Sequence, residues 1–225
     1  MSINVFSLNL LKSYMPFKRV LALGYLDVIS PLEEIEEAFP DADLSNPVFN
    51  KESQKWHGLG FEPVDSRWLL ARLGVEKLDV LDVEKWRGDE ITGDLNEPME
   101  LEPYDLVIDH GTIEHCMNIG QALKNIAGFV KVGGYVFNGP PLNMYNHGFY
   151  NVCPTLFYDF YVRNGWRIEA MCAMTRTGWF EIPRTERFSC EQKEASIVCL
   201  AHRLTAAAPV WHMQTKYQKK IAKAA

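Results

Sequence analysis

Residues 104–115 read YDLVIDHGTIEH, and the fold turns on how this stretch is read. Its first half is a short, nearly unbroken apolar run of the length of a strand rather than a helix. A strand that is apolar on both faces belongs inside a parallel sheet covered on both sides. The run then stops at Asp109, and His110, Gly111, Thr112, Glu114 and His115 follow within six residues. Titratable groups placed where a buried strand ends predict a site at the carboxyl edge of an α/β sheet.

Working outward from this strand, residues 118–134 put Ile119, Ala122, Leu123, Ile126, Ala127 and Val130 on one helical face and close on a glycine pair. YVFNGPP (135–141) then reads as the next strand. Upstream, KRVLALG (18–24), KLDVLDV (77–83) and DEITGDL (89–95) read as strands. SPLEEIEEAF (30–39) reads as a helix with Ser30 as N-cap and Pro31 at its first position, and DSRWLLARLG (65–74) as a second capped helix. Residues 40–63 are polar, aromatic and punctuated by Gly and Pro, and read as loop. Downstream, 155–166 reads as an aromatic helix, and 167–174 and 195–204 as two last strands. The alternation predicts one α/β domain over 1–209, three layers deep, around a mainly parallel sheet of about seven strands.

The totals narrow the class. The chain has 225 residues, 47% of them hydrophobic and 23% charged, as in ordinary soluble domains. A net charge of −6 opposes nucleic acid as a partner. No apolar run reaches the ~20 residues of a membrane span. The five cysteines are odd in number and lack C-x-x-C spacing, which fits free thiols and a cytoplasmic location. Residues 210–225 place Val210, Met213, Tyr217, Ile221 and Ala224 at helical spacing, with four lysines largely off that stripe. They predict a basic amphipathic helix packed on the domain or on a partner subunit, the latter making a homodimer.

Three acids, Asp82, Asp94 and Asp109, fall at or just after predicted strand ends. Parallel strands would bring them to one rim, where a carboxylate can accept from a ribose diol or an adenine amine. Asp also caps turns at such positions for purely structural reasons.

At this point the residues resemble a family, the class I S-adenosylmethionine-dependent methyltransferases. RVLALGYLD lies where the family has its first strand and glycine turn; LDVLDV resembles its second strand with the ribose-binding acid, here Asp82. GDLNEP is similar to its adenine-holding segment, here Asp94 and Leu95, and residues 104–137 resemble its fourth strand, following helix and fifth strand. The resemblance implies S-adenosylmethionine as cofactor, held at Gly24, Tyr25, Asp82 and Val83, at Asp94 and Leu95, and at Asp109, His110 and Gly111. It departs from the family in two places. Ala22 stands where the family has an acid, and Tyr25, Leu26 and Asp27 stand where it has further glycines. Three outcomes are then open: a rearranged pocket, Asp27 taking over a polar contact with the cofactor, or loss of cofactor binding. In addition, 58 positions separate Gly24 from Asp82, where a simple βαβ unit needs about 20. The surplus, about residues 40–65, reads as a lid or recognition insert.

Methyl transfer to oxygen needs a general base, and histidine is poised for that role near neutral pH. His115 and His147 are the candidates, with Glu114 orienting an imidazole. Residues 140–160 follow the fifth strand and carry Asn143, Tyr145, Asn146 and Tyr150 among aromatics, which suits a small or polyhydroxylated acceptor such as a sugar. Some family members bind a divalent metal through an E-x-x-E-H run and a later histidine. Here Gly111 replaces the first glutamate, so no metal is expected, although Glu114, His115 and His147 could still supply three ligands. Two rival functions remain open: metal-assisted RNA 2′-O-methylation, and a non-catalytic scaffold that keeps the fold.

Overall fold

The computed structural model describes residues 1–175, 178–183 and 186–217. The chain divides into two compact units, Met1–Asp94 and the part from Leu95 onward.

The first unit is built on three parallel strands. β2 (Arg19–Leu23) pairs with β4 (Lys77–Asp82), and β4 with β5 (Ile91–Thr92), in the order β5-β4-β2. Val20 to Leu23 have no exposed surface, as a strand covered on both faces requires. A short parallel pair, β1 (Ser2–Ile3) with β3 (Asp27–Val28), lies beside α1 (Val5–Lys12) in the sequence. Asn4 caps α1 by accepting from the Ser7 N–H at 3.0 Å, and Leu8 and Leu11 bury its inner face.

Two expectations in this unit need correction. α2 (Leu32–Ala38) begins after Pro31 and has no side-chain cap; Ser30 instead accepts from the Val5 N–H at 2.9 Å, tying α1 to the segment before α2. The stretch read as loop contains α3 (Lys51–His57), started by Asn50, which accepts from Ser53, and stopped by Gly58 at φ +62°. α3 buries only Ser53, so it carries no apolar periodicity for a sequence pattern to register. α4 (Ser66–Arg72) matches its expectation: Asp65 accepts from both Arg67 and Trp68 N–H groups.

The second unit has the strand order β6-β7-β10-β8-β9. β6 (Tyr104–Asp109) leads through a 3-10 turn (Ile113–His115) into α5 (Ile119–Phe129) and then β7 (Val130–Asn138), parallel to β6. α6 (Pro154–Arg163) precedes β8 (Trp166–Thr175), β9 (Gly178–Glu181) and β10 (Ser196–Arg203). β10 runs antiparallel to both β7 and β8, and β9 antiparallel to β8. Phe137, Phe157 and Tyr161 are fully buried in its core, each contributing about 2 kcal/mol by removal from water.

The helix expected over 118–134 ends five residues earlier. Val130 already pairs with Tyr104, the ladder slips a register between Tyr104 and Leu106, and Gly134 lies against that slip. A Cβ at Gly134 would sit 2.9 Å from the Asp105 carbonyl oxygen, so the glycine pair serves a strand rather than a helix end. β9 was not foreseen. Near the C-terminus, residues 210–214 are not helical and, among the described residues there, 215–217 are. Asn164 holds this stretch open: its Oδ1 accepts from the Val210 N–H at 2.8 Å and its Nδ2 donates to the Val210 carbonyl at 3.2 Å. Trp211 packs against Phe160, and Asp159 accepts from Thr215 through both N–H and hydroxyl. The rest of the expected basic helix, with Ile221 and Ala224, lies outside the described residues.

The α/β alternation read from the sequence is thus present, with parallel strands first and antiparallel strands last. Among the described residues, no helix is long and apolar enough to cross a membrane. Among the described residues, no cysteine forms a disulfide.

Candidate functional site

In the first unit, the carboxyl ends of β2, β4 and β5 share one edge. The Gly24 N–H donates to the Leu81 carbonyl at 2.7 Å, and the Gly93 N–H to the Asp82 carbonyl at 2.9 Å. Gly24 has φ +92°, a conformation that favours glycine. The turn after β2 therefore abuts the end of β4, and Asp82 stands at their junction. Asp82 is half-buried; one carboxylate oxygen accepts from the Val83 N–H at 2.7 Å, and among the described residues the other has no hydrogen bond. Val83 is exposed, and Asp94, two residues past β5, is exposed on the same edge.

The glycine-poor turn is filled by its own side chains. Tyr25 donates its hydroxyl to Asp65 at 2.6 Å, and the Arg87 guanidinium lies 3.6 Å from the centre of its ring. Burial, then the Asp65 hydrogen bond and charge, push the Tyr25 phenol up to about 12. Asp27, expected as a cofactor contact, is buried, with the His57 imidazole at 3.1 Å on one oxygen and Arg87 at 3.4 Å on the other. Both Asp27 oxygens are engaged within the protein. The insert is thus ordered, and His57 and Asp65 fasten it to the turn after β2.

In the second unit, Leu95 is buried and its carbonyl accepts from Asn125 at 3.0 Å. Asp109 ends β6 with no exposed surface. One oxygen accepts from the Asn138 amide at 2.7 Å and the other from the Ile113 N–H at 3.2 Å. Burial lifts its carboxyl to about 6 against these hydrogen bonds. Asp109 therefore organises the turn that follows it, with one hydrogen bond from within the unit on each of its oxygens. His110 stacks on Phe137 with ring centroids 5.6 Å apart, and burial pushes its imidazole down to about 4, so it is neutral. Gly111 adopts φ +106° in the same turn.

The three residues expected to carry the chemistry converge. One ligating atom each from Glu114, His115 and His147 lies within 4.8 Å of the others. His147 Nε2 is 3.4 Å and His115 Nε2 3.9 Å from the same Glu114 oxygen. Both imidazoles are about half exposed, whereas the Glu114 side chain has no exposure and neither of its oxygens has a hydrogen bond. Burial first, and the neighbouring Asp109 charge second, push the Glu114 carboxyl up to about 8. Burial and the nearby His147 lower the basicity of His115. The backbone holds this cluster tightly: the Phe149 N–H donates to the Glu114 carbonyl at 2.8 Å, and a Cβ on Gly148 would fall 2.8 Å from that oxygen.

The acceptor residues fare unevenly. Asn143 spends its amide on the backbone, donating to Gln192 and accepting from Ala195. Tyr150 donates its hydroxyl to the Met117 carbonyl at 2.7 Å. Tyr145 and Asn146 are exposed, Asn146 at φ +61°. Sequence reasoning missed Asn138 and Tyr161: the Tyr161 hydroxyl donates to Asn138 Oδ1 at 2.7 Å, completing a buried chain to Asp109. An Asn closing the strand that pairs with β6 was the available signal, since Asp109 and Asn138 are register partners.

Comparison with family models and with curated proteins gives no match. Among solved structures, the chain is similar to the N-methyltransferase NodS from Bradyrhizobium japonicum WM9 in complex with S-adenosylhomocysteine, at 11% identity over 89% of this chain and 85% of that one, TM-score 0.49. It is also similar to a 1,6-didemethyltoxoflavin-N1-methyltransferase from Burkholderia thailandensis, at 10% identity over 89% and 77% of the two chains, TM-score 0.49. A third similar structure is TehB from Haemophilus influenzae, at 13% identity over 89% and 62%, TM-score 0.44.

Proposed function

We propose that the chain transfers a methyl group from S-adenosylmethionine to a hydroxyl of a small or polyhydroxylated acceptor such as a sugar. The observation that carries the reading is the junction of the Gly24 turn with Asp82: a positive-φ glycine hydrogen-bonded to the end of β4, beside a carboxylate with one oxygen uncommitted. That donor set fits a ribose, whose paired hydroxyls donate to a strand-end carboxylate while the glycine admits close approach. Asp82 and Gly24 would hold the cofactor, with Asp94 on the same edge. When bound, S-adenosylmethionine supplies an electrophilic methyl group on a sulfonium.

The protein's remaining tasks are alignment and proton removal. His115 and His147, both about half exposed beside the buried Glu114, can take the acceptor's hydroxyl proton. Glu114, 3.4 Å from His147 and 3.9 Å from His115, would orient the rings. Incubation with deuterium-labelled S-adenosylmethionine and a panel of sugars and sugar nucleotides tests the proposal, read by mass spectrometry. Transfer of the labelled methyl supports it; no transfer to any hydroxylated acceptor counts against an oxygen acceptor.

A second reading is favoured by one observation, the buried Glu114 carboxylate with no hydrogen bond facing two imidazoles. Two histidines and a carboxylate form a donor set for a borderline divalent cation such as zinc or manganese. Glu114, His115 and His147 would hold the ion, which would lower the pKa of an acceptor hydroxyl, including a ribose 2′-hydroxyl of RNA. The net charge of −6 weighs against RNA. Assays on a short RNA and on sugars, with EDTA and then with added zinc, manganese or magnesium, separate the readings. Loss of activity in EDTA supports the cation, and unchanged activity removes it.

A further inference from the structure

We infer that Tyr161 and Asn138 are positioning residues for Glu114 and His115, acting through Asp109. The inference rests on the proposed role of the Glu114–His115–His147 cluster, yet the chain of hydrogen bonds can be tested without it. Tyr161 lies on α6, Asn138 at the end of β7 and Asp109 at the end of β6, and none of the three has any exposed surface.

The polarity of the chain runs one way. The Tyr161 hydroxyl donates to Asn138 Oδ1, and Asn138 Nδ2 donates to Asp109 Oδ2, each at 2.7 Å. Asp109 Oδ1 accepts from the N–H of Ile113, the first residue of the 3-10 turn that carries Glu114 and His115. A carboxamide can be flipped, and two partners set its orientation here: the Asp109 carboxyl takes the NH2 end and the Tyr161 hydroxyl donates to the oxygen. The phenol anchors the far end: as a donor to Asn138 Oδ1 it fixes the position from which the NH2 group reaches Asp109. With one oxygen held by Asn138, the other stays aimed at Ile113. The Tyr161 ring is packed separately, against Phe157, Phe160 and Trp166. Its hydroxyl is thus separable from its bulk.

Tyr161→Phe deletes the hydroxyl and keeps the ring. The Ile113 amide and the His115 and His147 imidazoles are followed by NMR on the whole chain without cofactor. The expected result is a shifted Ile113 amide that exchanges ~10-fold faster, with shifted imidazole signals and unchanged β8–β10 ladder amides. Asn138→Asp tests polarity, because it sets two acceptors face to face; Asp109→Asn combined with Asn138→Asp restores one donor between two acceptors with the same atoms. The double exchange should recover the Ile113 signal that Asn138→Asp loses. Where methyl transfer is measurable, Tyr161→Phe should lower kcat ~10-fold or more with KM little changed. Signals of Ile113 and both imidazoles that stay in place in Tyr161→Phe overturn the inference, as does a double exchange that recovers nothing. Failure of methyl transfer in the unaltered chain bears on the proposed function and leaves the NMR outcome to decide this one.

Discussion

Nε2 of His147 lies 3.4 Å from Oε1 of Glu114, a carboxylate that has neither solvent nor a hydrogen bond. A buried acid in that state is held by its neighbours against its own preference, and its cost depends on pH. The usual Glu114 value of 4.5 rises to about 8 in the fold. Between those limits the native protein keeps a proton that the unfolded chain releases, so stability falls as pH rises through this window.

Glu114→Gln stays neutral at every pH and should abolish that fall. In EDTA, the variant should match the unaltered protein near pH 4 and exceed it near pH 9 by a few kcal/mol, at about 1.4 kcal/mol per pKa unit. Urea denaturation at a series of pH values makes the measurement. Parallel stability curves for the two proteins would contradict it.

Gly139 follows β7 directly, and a Cβ there would collide with the ring of His110. That ring is buried and stacked on Phe137, with no free end to swing away. Gly139→Ala should therefore destabilise the protein by ~1–3 kcal/mol, the usual cost of overpacking. An effect below ~0.5 kcal/mol, within the range of neutral surface changes, would show that the ring moves freely.

Asp65 performs two tasks: it caps α4 through the Arg67 and Trp68 N–H groups and accepts the Tyr25 hydroxyl. Asp65→Ala should cost ~2 kcal/mol or more by losing the cap and stranding the phenol, whereas Tyr25→Phe should cost only ~1 kcal/mol. Thermal denaturation compares the two. The reverse order would mean that Tyr25 is held chiefly by the Arg87 guanidinium over its ring.

How much of this was legible in the sequence depended on whether a residue's role is local. β6 was read to the residue because a run buried on both faces needs no partner to be recognised. The Asp65 cap was legible for the same reason, since a cap bonds within three residues. The approach of His147 to Glu114 followed only as a choice among candidates, because 33 positions of chain separate them and the Glu114–Phe149 backbone bond that joins the segments has no side-chain signature. α3 was missed because it buries almost nothing, and the turn from α5 into β7 because Val130 fits both periods. Asp109 was read as facing a ligand. Its partner Asn138 lies 29 positions away, and Tyr161, which donates to Asn138, lies 52 away, so only the fold reveals the chain they form.

Calorimetric titration of the purified chain with S-adenosylhomocysteine, repeated on Asp82→Asn, measures the cofactor reading most directly. Asp82 is half-buried and, among the described residues, its side chain is bonded only to the Val83 N–H, so the substitution should leave the fold intact. Saturable one-to-one binding to the unaltered chain, weakened ~10- to 100-fold in Asp82→Asn for loss of a charged hydrogen bond, is the predicted result. Absence of binding to the unaltered chain, or equal affinity in both proteins, would contradict it.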